Sequence, residues 1–191
     1  MIPQKLYTAA QKEMIKRHFL FDLSQEDRHL RFGYTPSDDA IEKYIDDSFG
    51  VKNSMWFGIE FEDRIIASCH AFFEEEPQQT ELGLTVSPEF RGKGFGDLLF
   101  KRGKVWAKSL NSKSIFMHCL SENKVIQHIA LKNDMQVIPL AYGEKEALLE
   151  TNFSPLVRYS DAALDSMALF DNTIRKQRWL VKLLMRGLYG S

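Results

Sequence analysis

The stretch Leu82-Gly83-Leu84-Thr85-Val86-Ser87-Pro88-Glu89-Phe90-Arg91-Gly92-Lys93-Gly94-Phe95-Gly96 constrains this chain more than any other part of it. It reads as a strand that ends, a loop broken by Pro88, and three alternating glycines that open an amphipathic helix. Glycine permits positive φ and close backbone approach. Amides at the start of a helix point outward without partners, and the helix dipole there favours anions. Such a loop can hold a phosphate or pyrophosphate, and Arg91 and Lys93 add positive charge beside it. A plain strand-to-helix turn is the simpler alternative, but it needs neither three alternating glycines nor two cations. The Walker A spacing is absent. The dinucleotide fingerprint fits poorly, because Asp97 follows Gly92-x-Gly94-x-Gly96 and no parallel βαβ unit opens the chain.

The surrounding pattern predicts an α+β fold. Ala9 to Leu23 carries Met14, Ile15, Phe19 and Leu20 at helical spacing. Ser24 reads as the N-cap of a short helix through Phe32, and Ser37 as the cap of another, ended by Gly50. Trp56–Phe61 and Arg64–Phe73 flank Glu62-Asp63 as a hairpin, followed by an acidic loop from Glu74 to Thr80. A third strand spans Glu81–Val86. The helix after the glycine loop should bury Leu98, Leu99, Val105 and Trp106. A fourth strand, Ser114–Leu120, precedes a helix from Glu122 to Asn133 with Val125, Ile126, Ile129 and Ala130 on its apolar stripe. Met135–Ala141 and Glu146–Phe153 read as a second hairpin. Asp161 to Leu188 reads as one long helix or two shorter ones. The order implies a mostly antiparallel sheet with helices packed on it.

Composition narrows the function. A chain of 191 residues is one domain with room for an appendage. Its 44% hydrophobic and 12% aromatic content excludes global disorder. A net charge of −1 argues against a dedicated nucleic-acid binder. Two cysteines, Cys69 and Cys119, with no CxxC or Cys/His cluster, give no basis for a structural metal or a disulfide framework, and a reducing compartment is expected. Met1 to Lys5 lacks an apolar signal core, no apolar run reaches membrane-spanning length, and a cytoplasmic location is expected. The charge is nonetheless divided. Residues 172–191 hold Arg175, Lys176, Arg178, Lys182, Arg186 and no acid, leaving 20 cations against 26 acids in residues 1–171.

Val86, four residues, then Arg91-Gly92-x-Gly94-x-Gly96 resembles the acyl-CoA signature of the GCN5-related N-acetyltransferases. Ser121-Glu122-Asn123 at the end of the fourth strand is similar to the family's segment in which an Asn begins a helix beneath the coenzyme. Leu23-Ser24-x-Glu26-Asp27-Arg28-x-x-Arg31-Phe32 resembles the N-terminal helices of bacterial members. The resemblance covers roughly residues 3–153. It implies a GNAT domain over 1–153, and leaves 154–191 as a C-terminal helical extension that packs on the domain or on a partner.

The resemblance also implies a division of labour. Strands Glu81–Val86 and Ser114–Leu120 should be neighbouring, parallel and splayed apart. Leu84, Thr85 and Val86 would contact the pantetheine arm of acetyl-CoA, the amides from Gly92 through Lys93, Gly94, Phe95 and Gly96 to Asp97 would hold its pyrophosphate, and Asn123 would hydrogen-bond the arm. Family members transfer an acyl group directly from the thioester to an amine in a ternary complex, and the amine needs a base. Glu81 begins the first splayed strand, where many members place a catalytic glutamate. His118 lies five residues before Asn123, matching the glutamate of ribosomal-protein N-terminal acetyltransferases. A solvated glutamate and a structural strand histidine are the alternatives. The family's usual acid is a Tyr seven residues after the Asn, and Ala130 stands there. Tyr142, Tyr159 or His128 could replace it, the thiolate could leave unprotonated, or the protein could bind acyl-CoA without turnover. Cys119 as an acyl carrier is discounted in favour of packing.

The reading is therefore an acetyl-CoA-dependent N-acetyltransferase with an amine acceptor, small molecule or protein. No metal, nucleic acid or membrane partner is expected. Phe32, Tyr34 and Tyr142 are candidate acceptor contacts. The apolar and basic segment Trp179–Tyr189 suggests self-packing or a homodimer. The rival readings are a non-catalytic acyl-CoA-binding module and a membrane-peripheral protein acting through that segment.

Overall fold

Trp56 and Phe57 are both buried, and they belong to different apolar clusters. In the computed structural model, which describes residues 1–152 and 156–189, the two residues point to opposite faces of strand β2 (Ser54–Phe61). Its hairpin partner β3 (Arg64–Glu74) alternates likewise, with Ile65 in one cluster and Ile66 in the other. A strand pair that is apolar on both faces must be covered on both.

Helices α1 (Ala9–Arg17), α2 (Gln25–Phe32) and α3 (Asp38–Ser48) cover the Trp56 face, where Ile15, Phe19, Ile41 and Ile45 pack. A π-helical turn, His18–Asp22, continues α1. Ser24 caps α2 in a capping box with Asp27, and Ser37 caps α3 through the Ala40 amide. Gly33, at φ +78, lets α2 stop in the left-handed conformation.

Helix α4 (Phe95–Ser109) covers the Phe57 face with Leu99, Phe100, Trp106 and Ala107, joined by Ala130 of α5 (Lys124–Lys132). Two expected core residues are not there: Leu98 is 39% exposed and Val125 70% exposed. Val125 turns to a cleft rather than to the core.

With β1 (Gln4–Lys5), β4 (Gln79–Val86), β5 (Ser114–Leu120), β6 (Gln136–Pro139) and β7 (Glu144–Glu150), the sheet order is β1-β2-β3-β4-β5-β7-β6. Every adjacent pair is antiparallel except β4 with β5. This is the α+β architecture expected from the sequence, a mixed, mostly antiparallel sheet with one parallel pair and flanking helices. The late hairpin differs in detail, because β7 starts at Glu144 after a turn holding Tyr142 at φ +57, and it ends at Glu150. Phe153 lies outside the described residues.

The C-terminal segment is one helix, α6 (Leu156–Tyr189). It packs on α4 and β1. Arg102 of α4 pairs with Asp161 and Asp165, and Lys5 of β1 reaches the same two carboxylates at 2.7 Å. Further along, Lys176 meets the buried Glu60 at 2.7 Å, and Arg175 donates to the Glu60 carbonyl and to Asp171. Part of the basic segment is thus neutralised by the acidic body. Among the described residues no helix is long and apolar enough to cross a membrane.

Candidate active site

Strands β4 and β5 pair at only three positions: Gln79 with Ser114, Thr80 with Ile115 and Glu81 with Phe116. Beyond Glu81, β4 stays on β3 through Val86 while β5 continues along β7. The strands therefore part after Glu81, and the backbone of Leu82–Val86 has no strand neighbour on its β5 side.

Past Val86 comes the glycine loop. A 3-10 turn, Pro88–Phe90, leads to Gly92 at φ +73 and Gly94 at φ +81, which is the N-cap of α4. A Cβ at either glycine would meet nothing within 4 Å. The glycines are thus set by backbone conformation, and the space over them is open to a ligand. Gly96 differs: a Cβ there would stand 2.7 Å from Ile129, so it lets α5 approach α4.

A cavity of about 420 Å³ runs from the parted strands to this loop. Leu84, Thr85, Val86, Arg91, Gly92, Gly94, Phe95, Gly96, Asp97 and Asn123 all line it. Lys93 does not: its ammonium lies 4.8 Å from the Phe90 ring centroid and donates to the Glu89 carbonyl. The Thr85 hydroxyl is not offered to this cavity, because it is buried between His18 and Ser68 at 2.8 and 2.7 Å. Asn123 caps α5 through the Ile126 amide and ties it to α2 through the Leu30 carbonyl.

Arg91 pairs with Asp27 at 2.6 Å and donates to the Val86 carbonyl. Burial alone would raise the Asp27 carboxyl, but hydrogen bonds from Ser24 and the Arg91 charge hold it below its ordinary value. Burial likewise opposes ionisation of Asp97, yet Asn133, Lys101 and Lys132 bring it to about 2. Unsatisfied amides, an arginine and open space over two left-handed glycines suit a pyrophosphate.

A second cavity, about 660 Å³, opens on the α1–α3 side. Glu81, half-buried at the last paired position of β4, and His118, exposed on β5, both line it. Phe32 lines it too. Tyr34, Tyr142 and Tyr159 line neither cavity and are exposed, whereas His128 lines the cleft. Ala130 is fully buried. Burial pushes the Cys119 thiol up, consistent with a packing role.

Sequence reasoning gave no role to three residues of this second cavity. Arg31 Nη2 donates to the Tyr44 hydroxyl at 3.0 Å, and that hydroxyl lies 2.6 Å from His70 Nδ1. His70 Nε2 contacts Ser54 Oγ at 2.7 Å, and Ser54 donates to the Ser48 carbonyl. With Ser54 spending its proton there, His70 Nε2 is the donor and Nδ1 accepts from Tyr44. Burial, then the Arg31 charge, keeps His70 neutral and lowers its pKa to about 3. Arg31, Tyr44 and His70 are far apart in sequence and sit in unremarkable helix and strand positions, so only the fold brings them together.

The two cavities share Leu30 and Arg31 of α2 as wall. The model of the acetyltransferase (GNAT) family matches residues 17–132, more than half the chain. The chain belongs to the GNAT acetyltransferase family. No curated protein matches it. Solved GNAT structures share the fold at low identity. The GNAT domain of S. lividans PAT superposes with a TM-score of 0.66 at 11% identity, covering 78% of this chain and 89% of that one. Spermidine N-acetyltransferase from Vibrio cholerae, solved with CoA and spermine, gives 0.62 at 17% identity, covering 78% and 94%. The protein yncA from Salmonella typhimurium, solved with its cofactor acetyl-CoA, gives 0.56 at 14%, covering 81% and 98%. This GNAT chain is an enzyme of the acetyltransferase class, and its strand parting and glycine loop lie inside the matched region.

Proposed function

We propose that this GNAT enzyme transfers an acetyl group from acetyl-CoA to a primary amine by direct attack within a ternary complex. The observation that carries the reading is the pair of cavities that share one wall where β4 and β5 part, one ending at the glycine loop and the other holding Glu81 and His118.

The amides from Gly92 to Asp97 bind the pyrophosphate, with Arg91 beside them. The free backbone of Leu84–Val86 receives the pantetheine arm as an added strand, and Asn123 orients it from the start of α5. Glu81 takes the amine proton, directly or through water, and His118 contacts the acceptor from the opposite strand. A backbone amide of β4 meets the oxyanion. The CoA-bound and spermine-bound neighbours support an amine acceptor of this kind. Residues 1–153 carry this chemistry and 154–191 brace it. Two unpaired, buried cysteines support a cytoplasmic location.

Isothermal titration with acetyl-CoA tests the reading. Wild type binds, and Gly94→Asp, which forces a side chain into the left-handed region and adds negative charge at the anion site, weakens binding tenfold or more. Absence of binding by wild type refutes it. Binding without coenzyme release across a panel of amines would leave a non-catalytic acyl-CoA module instead, the reading that Ala130 favours.

We also propose that two copies pair through α6. Met167, Phe170, Ile174, Gln177, Val181 and Leu184 follow one another at alternating spacings of three and four, the heptad seam of paired helices. The five apolar ones are 37–69% exposed. No charged residue interrupts the seam, and Gln177 is the single polar position that fixes register. Arg178 and Asp171 flank it with opposite charge.

A further inference from the structure

Arg31 is the one charged side chain that lines both cavities among the described residues. Its guanidinium occupies the place a side chain at Gly83 would fill: a Cβ there would stand 1.8 Å from Nη2 and 2.0 Å from Cζ. Gly83 lies two residues past Glu81, in the first stretch of β4 that has lost its β5 neighbour. The missing side chain therefore makes room for a cation on the strand at the point where the two cavities meet.

The cation is held in place, and among the described residues no carboxylate forms an ion pair with it. Nη2 donates into the relay Tyr44–His70–Ser54, which ends on the Ser48 carbonyl. Arg31 Nε is buried with no hydrogen-bond partner among the described residues. Arg28, one turn earlier, has a carboxylate at 2.6 Å, and so has Arg91. The guanidinium is half-buried and stacks over the Phe32 ring at 5.0 Å, so part of it faces the cavities. A fixed cation in such a place suits an anion that arrives with the reaction.

Acyl transfer delivers one at such a junction. The amine nitrogen forms its bond to the acyl carbon, the carbon–sulfur bond breaks, the electron pair leaves on sulfur, and the amine proton goes to Glu81. We propose that Arg31 is a catalytic group that stabilises the departing coenzyme sulfur as a thiolate, so that no proton donor is needed. This rests on the acetyltransferase reading above. Arginine stays charged at any working pH, so it acts by field and hydrogen bond, not by giving up a proton. Ala130, fully buried in the core, offers no donor of its own.

The test reads the coenzyme thiol, not turnover. CoA bound to the full chain is titrated by thiolate ultraviolet absorbance, with unliganded protein as the blank. Cys69, pushed up to about 12, stays silent in this range. Wild type is expected to lower the bound thiol by about one unit or more from that of free CoA titrated in the same buffer. Arg31→Gln returns it to the free-CoA value, and Arg31→Lys restores part of the shift. Equal values in wild type and Arg31→Gln overturn the proposal. A thiol pKa in wild type equal to that of free CoA overturns it without any variant, which covers the case in which Arg31→Gln does not fold. Failure of wild type to bind CoA overturns the acetyltransferase reading itself and is thereby distinguishable.

Discussion

The guanidinium of Arg102, only 2% exposed in the middle of α4, donates to the Asp161 carboxylate of α6 at 2.6 Å. The same arginine stacks over Phe57 at 4.7 Å and also binds Asp165, while Lys5 shares both acids. Four charged groups thus join β1, α4 and α6 beneath the sheet. Removing one member of a buried pair leaves the other uncompensated, which costs about 3–5 kcal/mol. Asp161→Ala is expected to lose about 3 kcal/mol of unfolding free energy in urea titration, at the low end because Asp165 remains. A loss below about 1 kcal/mol would mean that Asp165 and solvent compensate Arg102 fully.

Glu81 and His118 face one cavity from neighbouring strands, and their variants separate base from contact residue. Glu81→Gln is expected to lower kcat about 100-fold or more, the usual weight of a general base. His118→Ala is expected to raise KM and change kcat less than tenfold. Thiol release with spermidine, lysine peptides and free amino acids as acceptors measures both. The opposite pattern would move the base to His118.

Acid should weaken the fold in two windows. Burial lowers the pKa of His70 to about 3 and that of buried His18 in the same direction. Each is neutral when folded and binds a proton when unfolded below about 6.5. Their stabilising balance is therefore intact above pH 6.5 and falls as pH drops from there toward 3. His70 alone predicts a loss of about 2 kcal/mol between pH 7 and 5. Asp97, held at about 2, and Asp22 and Asp27, also lowered, act later, as pH falls below the ordinary carboxylate value. Urea midpoints at pH 7 and 5 check this, and His70→Gln should flatten the first window.

The α6 seam predicts a dimer by sedimentation equilibrium. Ile174→Asp, placed on an exposed seam position, should give a monomer that keeps its helical circular-dichroism spectrum and whose Tm no longer rises with protein concentration. A wild-type monomer that co-sediments with anionic vesicles, and loses this on truncation to residues 1–171, would replace pairing with membrane binding.

How much of this was legible depends on whether a feature is local. Ser24 and Ser37 announce helix starts because capping is decided within three residues, and Gly50, Gly92 and Gly94 mark turns because each takes a positive φ. Val125 misled because helical spacing marks an apolar face without saying whether a core or a cleft lies opposite. The two-residue strand β1 is too short to carry a period. Arg102 drew no notice, and Arg31 only as part of a helix pattern with no role, because an arginine on a helix is usually solvated. Only the arrival of α6 over one, and of Gly83 beneath the other, gives them their roles.

The gap between β4 and β5 leaves two strand edges facing each other inside a sheet, with backbone groups that neither strand pairs. Such a protein is finished by its ligand. Anything that binds the folded state alone adds RT ln(1 + [L]/Kd) to its stability, about 2.7 kcal/mol at 100 times Kd. The coenzyme pool would then govern how long the protein survives as well as how fast it works, and a starved cell would hold a looser molecule.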